Sequence, residues 1–180
     1  MDRVSRANRK INEELTKQLD MLYALVVMVL WKDYGWRRLR IDRFFLRTQE
    51  VWDDVAEAGI EDSMLSLLEK ETGIEIQMPG MKSYHEYAYL DVNAWDRKPP
   101  TEMQVIYIRQ QQRKWLPAML IASMCLAMYR KEGWGPVRIA RFVGYYEAMR
   151  DEYGGNIKAL YEVIERDTKY KRAEISRLKK

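Results

Sequence analysis

One cysteine and one histidine are all that this 180-residue chain brings to metal binding or nucleophilic catalysis. Cys125 has no partner for an internal disulfide, fits a reducing compartment, and lies in the apolar run 120–128, where a small buried hydrophobe is expected. His85, beside Glu86 and Asp91, lacks the second His or Cys at ligand spacing that a zinc site needs, so no metal is expected. A P-loop, a His-Glu metalloprotease pattern and a Gly-rich dinucleotide turn are all missing, and no acidic residue sits in an apolar segment where burial would raise its pKa. These absences point to a binding protein without a cofactor rather than an enzyme. No apolar run approaches the roughly 20 residues that span a bilayer, and residues 1–10 are charged rather than signal-like. A cytoplasmic protein with no membrane partner is the expectation.

Positive charge is in modest excess. Against 31 basic residues stand 27 acidic ones, a formal net charge of +4, which is too little for a nucleic-acid coat protein. Its placement is uneven, because Arg37, Arg38, Arg40, Arg43 and Arg47 crowd together with only Asp42 among them.

What the chain does have is a segment written twice. Gly35-Trp36-Arg37-Arg38-Leu39-Arg40-Ile41-Asp42-Arg43-Phe44 recurs 98 residues later as Gly133-Trp134-Gly135-Pro136-Val137-Arg138-Ile139-Ala140-Arg141-Phe142. Each copy follows an apolar helical run, 21–31 or 119–129, and ends in a related segment, 64–72 or 160–168. The pattern predicts an all-α fold made of two copies of a three-helix module, 1–76 and 102–180, packed as a helical bundle. Within them, helices are expected over 4–33, 37–58 and 63–71, and again from 102, over 136–153 and over 156–167. Gly35 and Gly133 suit helix C-caps, and Pro136 suits a first helical turn. The Tyr- and Pro-rich insert 77–101 carries the alternating Tyr84-His85-Glu86-Tyr87-Ala88-Tyr89, which predicts a short strand or hairpin. A basic tail closes the chain from Tyr170.

At about 100° per residue, Trp36, Arg40, Arg43 and Arg47 share one stripe of the second helix, as do Trp134, Arg138, Arg141 and Tyr145 in the other copy. The stripe borders a core face of Ile41, Phe44, Phe45, Val51, Trp52 and Val55, matched by Ile139, Phe142, Val143, Tyr146, Met149 and Tyr153. A guanidinium fork fits phosphate and stacks on aromatic rings, so these eight residues are candidate contacts for a ligand carrying phosphate and a base. Arg37 and Arg38, at the helix start, are secondary anion contacts. In a competing reading the arginines pair with Glu50, Asp53, Asp54, Glu147 and Asp151 to hold the modules together, while the tryptophans plug the turns.

The string at 133–142, with an apolar helix before it and an acidic segment after it, resembles small helical proteins of bacteriophages and prophages of Gram-positive bacteria, whose motif reads Gly-Phe-Gly-x-x-Arg-Leu-x-Arg-Phe. The first copy departs from that motif at Arg37, which replaces the second Gly. The resemblance implies a phage setting, hence the cytoplasm of a bacterial host, and a helical fold. In that setting the leading expectation is a sponge that sequesters a nucleotide signal of host immunity. One alternative is a helix-turn-helix-like DNA-binding regulator, against which stand the low net charge and the long second helix. Another is a structural or partner-binding phage protein. The apolar runs 21–31 and 119–129 would supply the seam of a homodimer or higher homo-oligomer.

Overall fold

A computed structural model of the chain describes residues 3–57, 64–76, 102–153, 155–175 and 177–178. They form α1 (Arg3–Lys32), α2 (Arg38–Glu57), α3 (Met64–Thr72), α4 (Glu102–Arg130), α5 (Pro136–Tyr153), α6 (Ile157–Thr168) and the short α7 (Arg172–Ile175). No strand occurs among the described residues, so the all-helical expectation holds for them. The expected hairpin, and His85 with its acidic neighbours, lie outside the described residues.

The centre of the bundle is made by α1 and α4, which pack against each other. Residues 22–30 and 121–128 are buried at every position, as a helix that is apolar on all sides requires. Around this pair the other helices are exchanged between the two halves of the chain. The principal packing partner of α2 and α3 is α4, whereas α5 and α6 lie on α1. One hydrophobic core therefore draws on both halves, with Ile41, Phe44, Val51 and Leu68 from one and Ile139, Phe142, Leu160 and Ile164 from the other. Most of the two apolar runs expected to form the seam of a homodimer, residues 22–30 and 121–128, is buried within the chain itself.

The same backbone bonds recur at corresponding places. Gly35 and Gly133 end α1 and α4 in the left-handed region, with φ of 64° and 67°. The Trp36 N–H then donates to the Leu30 carbonyl and the Trp134 N–H to the Met128 carbonyl, each at 2.9 Å. This six-residue closure is a Schellman cap, which turns the residue after the glycine inward onto the last helical turn. Near the ends of α3 and α6, Thr72 donates to the Leu68 carbonyl and Thr168 to the Ile164 carbonyl, both at 2.7 Å, and each threonine oxygen accepts the N–H two residues on at 3.2 Å.

Beyond α6 the tail folds back on α2. Tyr170 is buried, and its hydroxyl donates to Asp42 Oδ1 at 2.6 Å and lies 3.1 Å from the Arg38 carbonyl. Arg38 in turn pairs with Glu174 at 2.5 Å. Of the basic tail, Lys169, Lys171 and Arg172 remain exposed.

Candidate functional site

The two tryptophans do not belong to the arginine stripes. Trp36 precedes α2 and Trp134 precedes α5, so the helical angle used to group them does not apply, and the Schellman turn carries both rings into the core. Each is 2% exposed, which leaves no ring face for a nucleobase. What lies on each ring is the arginine four residues later: the Arg40 guanidinium is 4.1 Å from the Trp36 centroid, and that of Arg138 is 4.2 Å from Trp134. Each tryptophan is thus a plug that also orients an arginine.

Exchange of the helices sets the rest of the geometry, because the residue before the capping glycine in each half meets the arginine helix of the other. In the first recess, of about 400 Å3, Leu39, Arg40, Arg43 and Arg47 surround Glu132. Glu132, 8% exposed, accepts from Arg47 and, at 3.3 Å, from Arg40. Arg47 also reaches the Lys131 carbonyl at 3.5 Å. Arg43 is exposed and has no ion pair among the described residues.

In the second recess, of about 560 Å3 and open to solvent, Arg138 and Arg141 stand with Asp33, Tyr34, Pro136 and Val137. Tyr34 holds the position that Glu132 holds in the first recess. Its ring lies 4.6 Å from Trp134, 6.1 Å from Tyr145 and 5.5 Å from the Arg138 guanidinium, and its hydroxyl donates to the Arg138 carbonyl at 3.3 Å. Burial raises the Tyr34 pKa, with Tyr145 adding to the effect and Arg138 and Arg141 opposing it, so the phenol is neutral near pH 7. Burial likewise raises the Asp33 carboxyl above the usual range, against the opposing charge of Lys32. Neither Arg138 nor Arg141 has an ion pair among the described residues. The recess thus presents two guanidiniums with a neutral ring and the Asp33 carboxyl, and the partly exposed Tyr145 meets the Tyr34 ring edge-on.

Arg40 and Arg47 pair across the two halves of the chain, but with Glu132 rather than with the acids expected for them. Glu50 pairs with Lys131 at 3.7 Å, Asp53 accepts from Gln49 at 2.8 Å and Asp151 pairs with its neighbour Arg150 at 3.3 Å. Those acids lie farther along α2 and α5, whereas the exchange brings the turn of the opposite half to the arginines. Arg130 is tied to Glu71 of the other half in the same manner. Of the two helix-start arginines, Arg37 covers the Trp31 ring at 4.5 Å and Arg38 is held by Glu174. Glu132 and Tyr34 went unnoticed in the sequence, although aligning the two copies places them opposite one another, immediately before the shared glycine. No metal-holding cluster of His, Cys, Asp or Glu occurs among the described residues, and no helix there is long and apolar enough to cross a membrane. No family model matches the chain, and no curated protein or solved structure is significantly similar to it.

Proposed function

We propose that this chain is a non-enzymatic binding protein that captures a phosphate-bearing, nucleotide-type ligand. Arg138 and Arg141 are its principal anion contacts, and Tyr34 and Tyr145 are the aromatic surface beside them. The observation that carries this reading is the pair of guanidiniums, without a carboxylate partner among the described residues, on one open recess. Two such forks can meet a phosphate from separate directions, and the stacking of Arg138 on buried Trp134 restricts one of them in advance. Arg43 offers a further free guanidinium in the first recess. The chain is built, on this reading, from two copies of a three-helix module, 1–76 and 102–180, joined by the insert 77–101. In the phage setting implied by the repeated motif, the role is a sponge for a nucleotide signal of host immunity.

A second reading has its own support in the ion pairs of Arg38, Arg40 and Arg47, which fasten the two halves of the chain; a purely structural phage protein would need no more. The DNA-binding alternative loses weight because Arg38, one of the two residues it would place on the duplex, is already paired with Glu174.

A thermal-shift panel with cyclic di- and trinucleotides, cyclic ADP-ribose isomers and a short DNA duplex separates the three. Capture of a small nucleotide predicts a large upward shift with one of them, abolished by Arg138→Ala combined with Arg141→Ala, while the ligand-free melting temperature stays near that of the parent. A shift with duplex alone, falling steeply with salt, would establish the regulator instead. No shift with any ligand leaves the structural account.

A further inference from the structure

The two recesses are built alike and filled differently. In each, the residue before the capping glycine of one half projects toward the residues five and twelve positions beyond the capping glycine of the other. In the first recess this residue is Glu132 and the positions are Arg40 and Arg47; in the second it is Tyr34, meeting Arg138 and Tyr145. A carboxylate is an anion with two acceptor oxygens, and Glu132 uses both, one toward Arg47 and one toward Arg40. A phenol neutralises nothing.

We infer that Glu132 is an intramolecular occupant of the first recess, standing where a phosphate would stand, and that the chain therefore binds one phosphate-type anion, at Arg138 and Arg141, with a second site latent in its own sequence. The inference rests on the proposed anion-binding reading. Free donors decide between the recesses, not total charge: the first has three arginines, but Glu132 takes two of them and leaves Arg43 alone, whereas in the second both arginines are available. Asp33 also lines the second recess and reduces its potential, yet it forms no ion pair with either arginine. Replacing the occupant should open the first recess, and installing a carboxylate opposite Arg138 should close the second.

Calorimetric titration with inorganic pyrophosphate tests this, with circular dichroism and melting curves confirming that each variant is folded. The parent chain is expected to bind one equivalent, lost in Arg141→Ala and kept in Arg43→Ala. Glu132→Tyr, which copies the second recess into the first, and the isosteric Glu132→Gln are expected to gain a second equivalent, which Arg43→Ala then removes. Tyr34→Glu is expected to lose the parental equivalent. One equivalent in the parent that persists unchanged in folded Glu132→Tyr, Glu132→Gln and Tyr34→Glu would overturn the inference and leave the anion-binding reading intact. No heat from the parent or from any variant would overturn both.

Discussion

Trp36 and Trp134, 98 residues apart in the chain, meet edge to face with ring centroids 5.4 Å apart and planes at 75°. Each ring is delivered by the same backbone device, the Schellman cap that follows Gly35 or Gly133, and each carries an arginine on its face. Phe44 and Phe142 border the pair at 5.5 Å and 6.5 Å from Trp36 and Trp134 respectively. The two turns therefore share one aromatic cluster, and one arginine of each recess, Arg40 or Arg138, rests on it.

Truncation of either ring should be felt in the whole fold. Trp36→Ala and Trp134→Ala are each expected to cost about 3–5 kcal/mol, the usual range for deleting a large buried aromatic. Urea unfolding measures this directly, and a loss below about 1 kcal/mol would mean that the rings are not packed as described.

The capping glycines should matter for their backbone rather than for space. A Cβ at Gly133 would meet nothing within 4 Å, but the φ of 67° is one that side chains disfavour. Gly133→Ala is expected to cost about 1–2 kcal/mol. Gly135→Ala is the control, since its surroundings are equally open and its φ is not in the left-handed region, so its melting temperature should differ little from that of the parent.

Alkaline pH should unfold the protein through its tyrosines. Burial raises the Tyr146 pKa from the ordinary 10.0 to about 12, and burial together with the hydrogen bond to Asp42 raises Tyr170 further still. A buried phenol whose pKa is raised stabilises the fold fully below the ordinary tyrosine pKa. That contribution is lost as pH rises through the folded-state value, because the unfolded chain ionises first. Melting temperatures should thus hold to about pH 10 and fall between about pH 10 and 12. Tyr170→Phe, which removes the bond to Asp42, is expected to cost about 1–2 kcal/mol at neutral pH and to flatten the alkaline loss.

Cys125 should be chemically silent in the folded protein. It is fully buried, and burial pushes its thiol up to about 12, so thiolate is scarce at pH 8. Labelling with a disulfide reagent is expected to proceed only as fast as the chain opens, and to become rapid in denaturant. Fast stoichiometric labelling of the native protein would contradict the burial.

Much of the local structure was legible from pattern alone. The expected helix 4–33 is α1, 37–58 is α2, 136–153 is α5, and Ile41, Phe44, Val51, Ile139, Phe142 and Met149 are buried as their spacing required. Gly35 and Gly133 were readable as caps because the conformation they adopt depends on their own lack of a side chain. The site was only partly legible. Arg138 and Arg141 do line one recess and Tyr145 meets the Tyr34 ring that lines it too, but the tryptophans grouped with them lie in the turns, outside the helices that would have placed them there.

By itself the sequence determined the helices, their caps, their buried faces and the recurrence of one motif. All of these depend on residues within a turn or two of one another, or on the chain compared with itself. Only tertiary structure decided that α2 and α3 pack on α4 while α5 and α6 pack on α1. An apolar face specifies that it must be covered and does not specify by what, and two central helices that are apolar all round offered each half either choice. From that exchange follow the meeting of Trp36 with Trp134, the arrival of Glu132 among the arginines of α2, and the exposure of Arg138 and Arg141 with Tyr34 in the place that Glu132 takes in the other recess.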